Sequence, residues 1–209
     1  MKAVIVCEAA GDGIFPLTDS RPPALMPLAG KVLAERLVNQ FLDAGADEVV
    51  VAAGDRTDMF RTRFESRDTV SVAETDAGSY GAAILEVDPS EKFVCATGDI
   101  YVSDGEIRRV VERLRDGEPS VLAEPSERSQ GFGFLTLGEQ DLLDSASRQT
   151  DETEPLASTG IYGLHPDFSR DIRACDGDLT KALDAAADDT DVHVEMVRGV
   201  YSRIDSPES

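Results

Sequence analysis

The chain has 209 residues, 41 of them acidic and 20 basic, with a formal net charge of −21. That length holds one α/β domain with a sizeable core, so a single domain over residues 1–209 is expected. The charge excludes nucleic acid and anionic membrane as partners, because a surface of that sign repels phosphate backbones and anionic headgroups.

Ala3–Cys7 is an unbroken apolar run, the pattern of a strand buried on both faces. Within Val32–Ala44, residues Leu33, Leu37, Val38, Phe41 and Leu42 recur at helical spacing, and Gly45 follows as a C-cap residue. Glu48–Ala53 reads as a second strand, Thr57–Glu65 as a helix and Val70–Ala73 as a short strand. Tyr80–Glu86 predicts another helix, followed by the strand Lys92–Thr97. Glu106–Arg115 carries Ile107, Val110, Val111 and Leu114 on one stripe, as an amphipathic helix does. Ser120–Glu124 returns to strand character, and Pro125 marks a change of style. Short strands are then expected at Gly131–Leu137 and Ala157–Leu164, with the polar stretch Gly138–Glu154 between them as an insertion or lid. Leu179–Ala187 reads as a helix and Val192–Arg198 as a late strand. The alternation predicts a Rossmann-like, mostly parallel sheet flanked by helices, with antiparallel additions in the C-terminal half. Ligands of such sheets bind at the carboxyl ends of the strands, near the switch in strand order. The loop after Cys7, the segment after Thr97 and the tail near Asp205 are expected to meet there.

Lysine is scarce, limited to Lys2, Lys31, Lys92 and Lys181, while acids are spread along the whole chain. A salt-rich cytoplasm, as in a halophile, accounts for both features, since screening removes the self-repulsion. A basic partner is the alternative. Cys7, Cys95 and Cys175 are odd in number and widely spaced, which argues against a disulfide framework or a zinc site. His165 and His193 lie too far apart in sequence to suggest a His-centred metal site. No apolar run approaches the ~20 residues of a membrane helix, and no leader is visible, so a cytoplasmic location is expected.

The segment Ala9-Ala10-Gly11-Asp12-Gly13-Ile14-Phe15-Pro16-Leu17-Thr18 joins the first strand to the first long helix. A Gly-rich turn in that position lets backbone N–H groups approach an anion. No Lys lies between Ala9 and Leu28, and the only Arg there is Arg21. A dinucleotide fingerprint fits poorly: Gly11 and Gly13 supply G-x-G, but the third glycine position holds Pro16.

The order of Val-Ile-Val-Cys-Glu-Ala-Ala-Gly-Asp-Gly, Pro-Leu-Thr, Arg-Pro and Leu-Met-Pro-Leu-Ala-Gly-Lys resembles the sugar-1-phosphate nucleotidyltransferases. Further matches follow in the family's order over nearly the whole chain. Ala77-Gly78-Ser79-Tyr80-Gly81-Ala82-Ala83 is similar to its segment beside base and ribose, and Gly98-Asp99 to its metal-binding Gly-Asp element. Ser158-Thr159-Gly160-Ile161-Tyr162 resembles its sugar-site element, and Arg203-Ile204-Asp205-Ser206-Pro207-Glu208 its closing element. The resemblance implies attack of a sugar phosphate on the α-phosphorus of a nucleoside triphosphate, with Mg²⁺ held by two Asp residues if the chain is active. It implies nucleotide contacts at Ala10, Gly11, Gly13, Gly78, Ser79 and Gly81, sugar contacts at Thr159 and Gly160, and metal contacts at Asp99 and Asp205. It also makes a homo-oligomer, or pairing with an intact paralogue, an expectation.

The chain departs from the family where the family's charges sit. The loop is shorter between Gly13 and Pro16, where the family has Thr-Arg. The lysine of the Pro-Lys-Pro element is Pro23, and no lysine lies between Lys92 and Lys181 to meet a sugar phosphate. The second metal position, two residues before Asp205, is Arg203. One preorganised charge aimed at a transition state contributes roughly 2.7–4 kcal/mol, so these losses bear directly on turnover. Arg21, Arg56, Arg128 and Arg148 are the candidates to compensate, and Glu8 opposes phosphate in the loop. Gly11 and Gly13 also suit a plain tight turn, Asp99 inherited geometry, and Asp205 the cap of a terminal turn. Arg203 is either solvated or set against Asp99 in place of Mg²⁺. Three functions follow: a non-catalytic family member that binds nucleotide or sugar phosphate or regulates a partner, an active transferase with a rebuilt site, and a structural module without ligand.

Overall fold

The computed structural model describes every residue except 9–11, 55, 77, 130 and 205–209. Strand β1 (Lys2–Cys7) is the N-terminal apolar run, and its side chains alternate between two cores. Ala3, Ile5 and Cys7 face one core, Val4 and Val6 the other. The loop that follows includes a buried single turn, Pro23–Leu25, and a small ribbon of β2 (Pro27–Leu28) and β3 (Lys31–Val32). The ribbon turns at Ala29 and Gly30, both at positive φ, as a tight two-residue hairpin requires. Helix α1 (Leu33–Ala44) ends where Gly45 takes the left-handed conformation at φ 98°.

Next come β4 (Glu48–Ala53), α2 (Thr57–Phe64), β5 (Val70–Glu74), α3 (Tyr80–Val87), β6 (Phe93–Thr97), β7 (Ile100–Val102) and α4 (Asp104–Arg115). The second half holds β8 (Ser120–Pro125), β9 (Phe134–Leu137), β10 (Leu143–Ser147), β11 (Leu156–Leu164), α5 (Phe168–Ala174), α6 (Leu179–Ala187), β12 (His193–Met196) and β13 (Tyr201–Arg203). The main sheet runs β10-β9-β11-β6-β1-β4-β5, with β8 and β12 continuing from the other edge of β11. Strands β6, β1, β4 and β5 are parallel, and β11 is antiparallel to its neighbours β6, β8 and β9. One core lies under α1, α2 and α4, the other under α3, α5 and α6. The expected α/β architecture, mostly parallel with antiparallel additions, is the one observed. Among the described residues no helix is long and apolar enough to cross a membrane.

Several local expectations are corrected. The strand expected from Gly131 starts at Phe134, because Gly131 and Gly133 both sit at φ 87° and break the extended run. The polar stretch 138–154 is not a lid. Its middle is β10, which buries Leu143 and Ala146 and pairs with β9. Two short inward side chains among polar ones left too little period for a strand to be read. The late strand is shorter than expected and runs parallel to β8. Helix α5 and strands β2, β3, β7 and β13 add to the expected elements.

The last of these matters for the site. β13 pairs antiparallel with β7, directly after β6, setting Arg203 opposite Ile100. The approach to it is tied down by buried Glu106, which accepts from the amides of Arg198 (3.1 Å) and Gly199 (2.7 Å). Ser103 Oγ accepts from the Val200 amide at 2.8 Å. Glu106 is paired with Arg109, which also pairs with Glu195 on β12. The segment leading into β13 is thus hydrogen-bonded to the start of α4, and ion pairs join α4 to β12.

Candidate functional site

The carboxyl ends of β1, β4 and β5 open into a cavity of about 700 Å³, where the topology places ligands. Its carboxylates are Glu8, Glu74, Asp76 and Glu86, and Arg56 is the one basic residue among the described lining. Glu8 leaves β1 and lies against Gly54, where an added Cβ would sit 2.7 Å from Glu8 Oε2. The Thr75 hydroxyl donates to Glu8 Oε1, and Glu86 accepts from the Asp76 amide at 3.3 Å. Arg56 sits at φ 63° and donates to the carbonyls of Thr18 (3.3 Å) and Asp19 (2.7 Å). It straps the loop to the start of α2. Pro23, expected in place of a lysine, is buried at the head of its turn. Burial pushes the Cys7 thiol well above its ordinary range, helped by Asp99 and Glu8, so no thiolate faces the cavity. Carboxylates gathered in one concavity raise a negative potential, which opposes a triphosphate.

The neighbouring end of the site is filled by the protein's own side chains. β6 leads through Gly98 to Asp99, and a Cβ at residue 98 would lie 2.4 Å from Cys7 Sγ, so only glycine fits. Asp99 is 2% exposed. Its Oδ1 accepts from the Thr97 hydroxyl and its Oδ2 from Arg203 Nε at 2.9 Å. The Arg203 guanidinium lies over the Phe132 ring, 4.9 Å from its centre. Phe132 meets Tyr80 edge to face at 5.4 Å, and an added Cβ at Gly160 would come within 2.7 Å of the Phe132 ring. Gly160 itself takes φ 80°, between the points where the register of β11 against β8 shifts.

The polar groups expected to meet a sugar are engaged internally. The Thr159 hydroxyl donates to the Leu122 carbonyl and the Thr159 carbonyl accepts from Tyr201, both at 2.8 Å. The Gly160 carbonyl accepts from Tyr80 at 2.9 Å. Burial raises the phenol pKa of Tyr80 and of Tyr201, so both hydroxyls keep their protons and remain donors.

Asp99, Thr159 and Gly160 therefore meet around Arg203, Phe132 and the two tyrosines. Gly78 (φ 64°) lines the large cavity. Ser79 caps α3, accepting from the Ala82 amide at 3.3 Å, and lines a separate cavity of about 230 Å³ beside Phe132. Gly81 is explained by packing: a Cβ there would sit 2.4 Å from the Gly177 carbonyl oxygen. Gly13 is exposed in the turn Asp12–Ile14 and is not among the lining residues. Ala10, Gly11 and Asp205 lie outside the described residues. Of the arginines weighed as substitutes, Arg148 pairs with Asp178 at 3.0 Å, and Arg21 and Arg128 are exposed. Phe132 and Tyr201 belong to no motif of the sequence, and Tyr80 stands there only within the Ala77–Ala83 segment. The only signal for Phe132 was its place between two glycines.

Mg²⁺ requires several oxygen ligands in near-octahedral array. Here both oxygens of Asp99 are engaged, and the neighbouring position is a guanidinium, which cannot ligate a cation. Among the described residues no three His, Cys, Asp or Glu side chains gather to hold a metal. The described donor set does not fit Mg²⁺.

Residues 2–201 match the nucleotidyl transferase family. A bifunctional sugar-1-phosphate nucleotidylyltransferase/acetyltransferase of Sulfurisphaera tokodaii is 23% identical, over 99% of this chain and 53% of that protein. The bifunctional protein GlmU of Methanococcus maripaludis is 22% identical over 99% of this chain and 52% of its own length. The chain thus spans about half the length of these curated relatives. A UTP-bound UGPase of Acinetobacter baumannii superimposes with a TM-score of 0.80 at 16% identity, covering 99% of this chain and 89% of that one. A Bacillus anthracis protein assigned as a glucose-1-phosphate thymidylyltransferase, solved with sucrose, reaches 0.86 at 16% identity, covering 100% and 92%. Those structural likenesses speak for the fold. The family match, running through β1, Asp99 and the start of β13, shows that this chain belongs to the nucleotidyl transferase family.

Proposed function

We propose that this chain is a sugar-phosphate nucleotidyltransferase-family protein without transferase turnover, a cytoplasmic binding or regulatory subunit that works beside an intact paralogue or a second copy of itself. The observation that carries the reading is the charge of the large cavity. Phosphoryl transfer asks a protein chiefly to neutralise phosphates and align the attack. The described lining offers Glu8, Glu74, Asp76 and Glu86 against Arg56, whose guanidinium is committed to loop carbonyls. The cavity suits the uncharged end of a nucleotide, with Gly78 and the backbone after β1 as its contacts, better than a triphosphate. Nucleosides and monophosphates are expected to raise the unfolding midpoint more than triphosphates do, because a ligand that binds only the folded state stabilises it. Pyrophosphate release is the decisive assay, run at high KCl with each nucleoside triphosphate and a panel of sugar-1-phosphates, with Mg²⁺ and with EDTA. No release above the protein-free rate is expected, and sustained turnover overturns the reading.

A second reading, an active transferase rebuilt around arginine, draws on Arg203, whose guanidinium does stand beside Asp99. The same assay separates the two.

A further inference from the structure

The family's chemistry places a divalent cation at Asp99, and this chain places an arginine there. We infer that Arg203 is a built-in replacement for that cation, which neutralises Asp99 and bars divalent metal from it. This deepens the proposed function and rests on it for the location of the site, not for the absence of turnover.

The pair is held from several directions. Backbone pairing of β13 with β7 sets Arg203 opposite Ile100, and the Ile204 amide donates to the Asp99 carbonyl at 2.8 Å. The guanidinium is fixed between Asp99 Oδ2, 2.9 Å from Nε, and the face of Phe132. Asp99 is further fixed by the Thr97 hydroxyl. Asp99 and Arg203 side chains are 3% and 18% exposed, so water screens the pair little. A hydrated Mg²⁺ would have to displace an arginine that is stacked and hydrogen-bonded. A guanidinium keeps its charge at every accessible pH and delivers it without metal. The substitution leaves Asp99 neutralised while removing the open coordination positions a metal would present to phosphate. Anything this end of the molecule still does is therefore independent of divalent ions.

Mn²⁺ tests this directly, because its paramagnetic signal is lost on binding. Titrations in molar KCl suppress adsorption to the acidic surface, and comparison with Asp99→Asn isolates binding at this carboxylate. Wild type and D99N are expected to bind Mn²⁺ identically. Arg203→Asp is expected to acquire Asp99-dependent binding at least about tenfold tighter, the scale on which metal sites respond to lost partners. Should R203D fail to fold by circular dichroism, Arg203→Asn supplies an oxygen donor without the added charge, and the same Asp99-dependent gain is expected. A wild-type Mn²⁺ site abolished by D99N overturns the inference, as does the absence of any gain in a folded Arg203 variant. Turnover insensitive to EDTA would sink the proposed function and leave this inference standing. A D99N-sensitive Mn²⁺ site without turnover would do the reverse.

Discussion

The two ends of the candidate site are built in opposite ways. At the end of β1, β4 and β5 the protein leaves a cavity of about 700 Å³ lined by carboxylates. At the end of β6, beside the middle of β11, it sets Arg203, Phe132, Tyr80 and Tyr201, and the Thr159 hydroxyl and the Thr159 and Gly160 carbonyls have internal partners. The same fold thus keeps a wide opening lined by carboxylates at one end and, at the other, packs side chains around Asp99 and Gly160 beside a smaller cavity of about 230 Å³. The closed end should behave as core, and the open end as surface.

That contrast can be broken by truncation. Phe132→Ala removes a buried ring on which Arg203, Tyr80 and Gly160 all rest. A cost of about 3–5 kcal/mol is expected in denaturant unfolding, the range for buried aromatics. A cost under ~1 kcal/mol would show that the ring is not core. Arg203→Met comes next, since it strands a nearly buried carboxylate, with an expected loss of about 3 kcal/mol. Asp99→Asn in the same chain should restore much of that loss, and a double-mutant cycle reads the coupling. At the open end Glu8→Gln keeps an acceptor for Thr75 while removing charge. Stability should change by less than ~1 kcal/mol, while the midpoint shift produced by a nucleoside triphosphate increases. Cysteine labelling sharpens the contrast with the smallest effect. Cys7 and Cys95 are buried, and burial pushes the Cys95 thiol up to about 12. Alkylation of the folded protein at pH 8 should mark Cys175 first, as read by mass spectrometry.

The open end was the more legible of the two. The strand–turn–helix pattern placed the loop after Cys7 at the carboxyl edge of the sheet, and β1, β4, β5 and β6 follow their apolar runs to within a residue or two. The position of Arg203 two residues before Asp205 raised its pairing with Asp99, which the structure shows at 2.9 Å. What stayed hidden depends on tertiary contact. Phe132 becomes a plug only because Gly131 and Gly133 turn the chain and Gly160 leaves space for its ring. Tyr201 finds the Thr159 carbonyl only because β13 pairs with β7, and a three-residue strand carries no readable period. Gly81 shows the converse: a glycine in a nucleotide-like motif whose smallness is required by the Gly177 carbonyl.

A crystal structure of the protein grown with MgCl₂ and a nucleotide sugar is the most direct test of the self-filled end. Arg203 Nε should remain on Asp99 with Phe132 against Gly160, and any ligand density should fall in the cavity between Glu8 and Gly78. Mg²⁺ on Asp99 with Arg203 swung away, and a sugar in the place of the Phe132 ring, would contradict the account.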